Sequence, residues 1–152
     1  MQVVINTLEP HHSARFVELV TIFANVFDMP TLEIPEEAYL KQLLSNPDFI
    51  VIVATVDEAV VGGATVYLLH KYYTTKRAAY IYDIGVTPNF QGKGIGKQLI
   101  QFIMDYCKQH NIDDAWVEAE ADDSDAVNFY RKTPNSGEIH AIHFNYENQI
   151  NV

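Results

Sequence analysis

Ala79-Tyr80-Ile81-Tyr82-Asp83-Ile84-Gly85-Val86-Thr87-Pro88-Asn89-Phe90-Gln91-Gly92-Lys93-Gly94-Ile95-Gly96-Lys97 is the stretch on which the fold turns. Its first half is β-branched and aromatic and stops at Pro88, which predicts a strand from Ala79 to Val86. In its second half three glycines alternate, Gly92, Gly94 and Gly96, and from Ile95 the apolar positions Leu99, Phe102, Ile103 and Tyr106 follow helical spacing to about His110. Glycines between a strand and a helix let backbone N–H groups converge at a helix N-terminus without obstruction by Cβ, an arrangement that holds phosphate. The chain has 10 Lys and Arg against 20 Asp and Glu, so Lys93 and Lys97 in this loop mark it for an anion. A Walker loop needs glycine five residues before the Gly of its Gly-Lys and Ser or Thr after it, where this chain has Gln91 and Gln98 at the corresponding places. A Rossmann fingerprint fails as well, because the spacing here is G-x-G-x-G and the loop comes late in the chain.

Upstream of the loop, Val3-Val4-Ile5 with Leu8 reads as a short strand. Phe16, Leu19, Val20, Phe23 and Phe27 then put one apolar stripe on a first helix closed by Pro30. Pro35, Glu36 and Glu37 form a favourable first turn for a second helix through Tyr39, Leu40, Leu43 and Leu44, ending near Asn46-Pro47. The runs Phe49 to Val56 and Val60 to Leu69, split by Asp57-Glu58, read as a hairpin in which Gly62 and Gly63 mark a bulge or a close approach. Downstream, Ala115 to Glu120 is strand-like, Asp122 to Lys132 is a short helix with Ala126, Phe129 and Tyr130 inward, and Ile139 to Tyr146 supplies the final strand or strands. Hairpins followed by a strand-helix-strand crossover predict an α/β (α+β) architecture, a mixed sheet with helices on its faces.

At 152 residues the chain has the size of one domain, 1–152, that buries a core without disulfides or metal. No apolar run reaches the roughly 20 residues of a membrane span, and the N-terminus lacks a signal-peptide layout, so a cytoplasmic protein without membrane association is expected. The one cysteine, Cys107, lies in a helical pattern beside Ile103 and Tyr106 and reads as a packing thiol. A formal charge of -10 disfavours nucleic acid and anionic membranes and favours a cationic partner. His11, His12, His140 and His143 lack the spacing of a metal site, so no metal is expected.

Gln91, Gly94 and Gly96 directly after a strand match [Q/R]-x-x-G-x-[G/A], and the chain here resembles the GNAT acetyltransferases. The segment Asp123-Ser124-Asp125-Ala126-Val127-Asn128-Phe129-Tyr130 is similar to the family's N-x-x-A-x-x-F-Y helix, although Asp123 stands where Asn is usual. After the tyrosine, Arg131-Lys132-Thr133-Pro134-Asn135-Ser136-Gly137 departs from the family's Lys-x-Gly-Phe. Tyr80-Ile81-Tyr82-Asp83, Trp116-Val117-Glu118-Ala119-Glu120 and His143-Phe144-Asn145 look most like the aminoglycoside 3-N-acetyltransferases, of which gentamicin acetyltransferase is one. The resemblance spans roughly residues 45 to 146.

The resemblance implies a mostly antiparallel sheet of six or seven strands with splayed central strands, flanked by about four helices. It implies acetyl-CoA as cofactor, with the pyrophosphate on Gln91, Gly92, Lys93, Gly94, Ile95, Gly96 and Lys97. The pantetheine arm would lie along Ile84, Gly85 and Val86, where an N–H near Ile84 is placed to face the thioester oxygen. Asp123 and Ala126 would meet the cofactor from the next helix. Direct transfer to an amine requires a base, for which Glu120 and then Asp83 are the candidates, and a proton donor to the thiolate, for which Tyr130 holds the family position. Asp113, Asp114, Glu118, Glu120, Asp122, Asp123 and Asp125 crowd one strand and its flanks, with Glu118 and Glu120 expected on one face of it. Tyr82, Asp83, Glu118, Glu120, Asp122 and His143 are therefore the expected acceptor contacts. The implied function is acetylation of a polycationic small molecule, most specifically the 3-amino group of an aminoglycoside, hence antibiotic resistance. A polyamine, or a peptide or protein amine, is the alternative acceptor, and a non-catalytic acetyl-CoA-binding module is the alternative class. A homodimer is compatible with this reading.

Overall fold

Asp57 and Glu58 both adopt left-handed backbone, φ 48° and 67°, the requirement of a tight two-residue hairpin turn. They join β2 (Phe49–Val56) to β3 (Ala59–His70) in the antiparallel register that the two β-rich runs predict. The computed structural model describes residues 1–148, so the last four residues of the expected domain lie outside the described ones. Its contacts divide the chain into two compact units, residues 1–118 and a second beginning at Ala119.

In the first unit β1 (Val4–Thr7), β2, β3, β4 (Arg77–Val86) and β5 (Ile112–Val117) form one sheet in the order β1-β2-β3-β4-β5. The first three pairings are antiparallel and β4 pairs β5 in parallel, which the intervening helix α3 (Ile95–Gln109) makes possible. The helices α1 (Ser13–Val26) and α2 (Glu37–Leu44) bring Phe16, Leu19, Phe23, Leu40 and Leu44 against Phe49, Val51 and Val53 of β2. Alternation turns Ile50, Ile52 and Ala54 to the opposite face, and β2 is buried throughout. The apolar stripe of α3, Ile95, Leu99, Ile100, Ile103 and Cys107, is buried, and burial pushes the Cys107 thiol up, as befits a packing residue.

Gly62 and Gly63 serve both readings of the sequence. A register shift falls between Ala54 and Thr55, opposite the residues around Gly62. A Cβ on Gly63 would stand 2.2 Å from the Ile52 carbonyl oxygen and 2.8 Å from Leu19 Cδ1.

Three expectations are corrected. Among the described residues the sheet has five strands rather than six or seven, with β5 at its edge. The stretch 139–146 is not a strand: Ile139, Ile142, Phe144 and Tyr146 are exposed, and no strand offers the segment a ladder. A β-like composition specifies a strand only where a partner edge exists to pair with it. The strand expected at Ala115 to Glu120 runs instead from Ile112 and ends at Val117, so Glu118 and Glu120 do not share a strand face.

Gly63→Ala is expected to lower folding stability by about 1–3 kcal/mol, because neither the Ile52 backbone nor buried Leu19 can withdraw freely. Urea unfolding followed by circular dichroism checks this, and an unchanged midpoint would mean that the close approach at Gly63 yields to a methyl group.

Candidate active site

The glycine loop starts at a tie. Gln91 donates its side-chain amide to the Val86 carbonyl at 2.8 Å, drawing the end of β4 and the beginning of the loop together across the 3-10 turn Pro88–Phe90. Gly92 and Gly94 then take left-handed backbone, φ 73° and 82°, and Gly94 is the N-cap of α3. The first intrahelical bond of α3 runs from Gln98 N–H to Gly94 C=O. The six N–H groups of residues 92–97 therefore have no acceptor among the described residues, and a Cβ on Gly92 or Gly94 would meet nothing within 4 Å. Ile95, 1% exposed, fastens the first turn of α3 into the core while Lys93 and Lys97 remain outside, Lys93 over the Phe90 ring at 4.9 Å. Six unpaired donors, two cations and the positive end of a helix are groups that attract a multiply charged anion.

The strand leading into that loop is open on one side. β4 pairs with β3 as far as Val86↔Gly62, but its pairing with β5 ends at Ile81↔Val117. Residues 82–86 thus present a strand edge that β5 does not use, with the Val86 carbonyl already engaged by Gln91. A bulge falls between the rungs Val66↔Ile81 and Thr65↔Asp83, leaving Tyr82 as the extra residue. Simple alternation would set Asp83 opposite in face to Tyr82. The bulge instead places Asp83 across from Thr65, on the face that carries Tyr67 and Tyr80. Asp83 is half-buried there, and burial pushes its carboxyl above the usual carboxylate range. Thr65 is 7% exposed and its hydroxyl has no hydrogen-bond partner among the described residues. No sequence signal pointed to Thr65; only the register reveals it.

A glycine loop with unpaired amides beside an unused strand edge is a combination that family comparison resolves. The acetyltransferase (GNAT) family matches residues 16–133. The chain belongs to the GNAT acetyltransferases. An aminoglycoside acetyltransferase from an uncultured soil metagenomic sample, solved in complex with trehalose and in complex with sisomicin, is 35% identical, with a TM-score of 0.94 and 97% of each chain covered. A second aminoglycoside acetyltransferase from an uncultured soil metagenomic sample is 26% identical, with a TM-score of 0.90 over 97% of this chain and 99% of that one. An aminoglycoside N-acetyltransferase in complex with CoA, 15% identical, shares the fold at a TM-score of 0.75 over 95% of each chain. GNAT acetyltransferases use acetyl-CoA, and the open amides of residues 92–97 fit its diphosphate in number, charge and access.

The second unit of this acetyltransferase carries α4 (Ser124–Arg131). Asp123, which replaces the family's usual Asn, is its N-cap and accepts from Ala126 N–H at 3.1 Å. The unusual residues after the helix secure its other end. Thr133 Oγ1 and Asn135 Nδ2 both donate to the Tyr130 carbonyl, at 2.7 and 3.1 Å, and Arg131 grips Glu138 with two bonds of 2.8 Å. That guanidinium holds the Glu138 carboxyl down at about 2. Tyr130 is half-buried beside the Phe129 ring, centroids 5.1 Å apart. Glu120 and Asp122 are exposed ahead of α4, and exposed His143 lies in the segment without regular structure.

The acidic cluster divides. Lys71 pairs with both Asp113 and Asp114, and its hydrogen bond lowers the Asp113 carboxyl. Glu118 accepts from the Tyr80 hydroxyl at 3.4 Å. No group of three or more His, Cys, Asp or Glu among the described residues is arranged to hold a metal ion, and no helix among them is long and apolar enough to cross a membrane.

Gly94→Ala puts an L side chain at φ 82°, a strain of about 1–2 kcal/mol that pulls the loop out of its convergent geometry. CoA affinity measured by titration calorimetry is expected to fall about tenfold or more. Unchanged affinity would mean that the diphosphate is held elsewhere.

Proposed function

We propose that the chain is an acetyl-CoA dependent N-acetyltransferase that acetylates a primary amine of an aminoglycoside, at the 3-amino group, and thereby inactivates the drug. The observation that carries this reading is the run of unpaired amides from Gly92 to Lys97, set beside the unused edge of β4 on which half-buried Asp83 stands. The 35% identical aminoglycoside acetyltransferase, solved with sisomicin, supports the acceptor class.

Acetyl-CoA supplies an acetyl group activated as a thioester. The amides of residues 92–97, with Lys93 and Lys97, hold its diphosphate, and the edge of β4 at Ile84, Gly85 and Val86 offers backbone groups to its extended arm. Asp123 fixes the start of α4, where Ala126 lies. Asp83 takes the proton that an acceptor ammonium must lose before its nitrogen can attack. Glu120 is exposed ahead of α4, whereas Asp83 stands half-buried on the edge of β4, so Asp83 is preferred. Thr65 shares the rung with Asp83 and offers its hydroxyl to the carboxylate once ionised. Tyr130 holds the proton required by the departing sulfur. Tyr82, Glu118, Glu120, Asp122 and His143 are the contacts proposed for the polycationic acceptor.

The direct test mixes the protein with acetyl-CoA and a panel of sisomicin, gentamicin, spermidine and a lysine peptide, following CoA release and locating the acetyl group by NMR. Acetylation of the 3-amino group of an aminoglycoside is expected. Turnover of spermidine or the peptide alone would overturn the acceptor, and CoA binding without turnover of any amine would make the chain a binding module.

Asp83 also sets a pH dependence. Its folded-state pKa is raised, so the ionised, proton-accepting form accumulates only above the ordinary carboxylate range of about 4. The acidic limb of kcat/KM is expected above that range, and Asp83→Asn is expected to abolish it along with most activity. The sign for stability is opposite: a half-buried carboxyl binds its proton more tightly folded than unfolded, so it opposes folding as pH rises through both values. Asp83→Asn should therefore leave stability at neutral pH equal or higher, whereas a purely structural acid would lower it on removal.

Tyr130→Phe is expected to lower kcat by about 100-fold or more while leaving acetyl-CoA affinity within about twofold. Stopped-flow turnover paired with calorimetry reads both, and undiminished kcat would assign proton donation to another group.

A further inference from the structure

One rung of the sheet carries an aromatic residue on four successive strands. Phe49 of β2 stands opposite Tyr67 of β3, Tyr67 opposite Tyr80 of β4, and Tyr80 opposite Trp116 of β5. Residues directly opposite share a face, so the four rings form a continuous row. Their centroids follow at 4.9 Å from Phe49 to Tyr67 and 5.5 Å from Tyr80 to Trp116, the latter pair stacked with planes at 22°. Tyr82, the bulged residue, closes the gap between the middle members edge-on, 5.5 Å from Tyr67 and 6.0 Å from Tyr80.

The row is anchored at one end and open at the other. Phe49 is buried against Phe16 of α1, with centroids 6.3 Å apart, whereas Tyr67, Trp116 and Tyr82 are 39%, 39% and 59% exposed. The open part is edged by acids. Glu118 accepts the Tyr80 hydroxyl, and Asp83 lies on the same face across from Thr65. Burial pushes the Tyr67 and Tyr80 phenols up, so their rings stay neutral. Neutral aromatic faces bordered by carboxylates offer C–H contact and cation–π attraction together, and the chain as a whole carries a charge of -10.

We infer that exposed Tyr67, Tyr82 and Trp116, with half-buried Tyr80 between them, are a stacking floor for the saturated ring of a cationic amino sugar or aminocyclitol, and that the floor selects ring polyamines over linear ones. The inference rests on the proposed aminoglycoside activity and deepens it. A rigid ring lays its C–H face on the floor without losing internal freedom and directs its ammonium groups to Glu118 and Asp83. A linear polyamine reaches the same acids but must be immobilised along its length.

Trp116 is the only tryptophan in the chain, so its fluorescence reports the floor directly, without turnover. Sisomicin added to the wild-type protein is expected to change Trp116 emission saturably, at lower concentration than spermidine. Trp116→Leu and Tyr82→Leu are expected to raise KM for sisomicin about tenfold, and KM for spermidine by a clearly smaller factor. Trp116→Phe and Tyr82→Phe should restore most of the loss. Tyr82 is exposed enough that its removal leaves the fold intact, which covers the case in which Trp116→Leu fails to fold. If sisomicin is acetylated but leaves Trp116 emission unchanged, or if the leucine variants affect both amines equally, the floor is overturned while the activity stands. Emission that responds to protein concentration rather than to amine would assign the surface to a second copy of the chain and overturn the inference too. If no aminoglycoside is acetylated and sisomicin leaves the emission unmoved, the activity and the floor fail together, whereas a saturable change without turnover retains the floor alone.

Discussion

Backbone amides at the start of α3 have no acceptor among the described residues, and the rest of the candidate site is arranged around them. A helix always leaves its first N–H groups unsatisfied, but a serine or aspartate cap or a preceding turn usually meets part of the demand. Here the N-cap is Gly94, which has no side chain to accept a bond, and the amides beside it have no acceptor among the described residues. Buried Ile95 prevents the turn from unwinding to find partners, and Gln91 fixes where the loop leaves β4. The result is a run of solvent-accessible amides without a partner among the described residues, held in place by packing and suited to an anion.

The same loop fixes what lies beside the anion. Because α3 crosses from β4 to β5, the two strands run parallel, and their ladder lasts only to Ile81↔Val117. Beyond that rung β4 continues toward the loop paired with β3 but not with β5, so a ligand whose charged end occupies the amides would find an unused strand edge leading away from them. The bulge at Tyr82 turns Asp83 onto the face with Tyr67 and Tyr80, so one extra residue in one strand brings the acid and the aromatic surface together.

Much of this was legible in the sequence wherever the requirement is local. The glycines of the loop, the stripe on α3, the two-residue hairpin and the short helix bearing Tyr130 all follow from backbone freedom, period and capping, which neighbouring residues encode. What escaped depends on partners distant in sequence. Asp83 reads as facing away from Tyr82 until the register with β3 is known, and Thr65 is an ordinary strand threonine until its hydroxyl is found buried without a partner. The aromatic row is invisible because its members, Phe49, Tyr67, Tyr80 and Trp116, come from four strands. The stretch 139–146 misled in the reverse sense, since its alternation is strand-like and no ladder receives it. Glu118 and Glu120 were set on one strand face because their spacing is even, although the strand ends at Val117.

The central claim is that the amides of residues 92–97 receive the cofactor's diphosphate. Amide resonances followed by NMR while CoA is titrated into the protein test it most directly. The expected result is that the largest shifts cluster at residues 92–97 and saturate together, with inorganic pyrophosphate moving the same resonances at higher concentration. Saturation with CoA while those amides stay unmoved would contradict it.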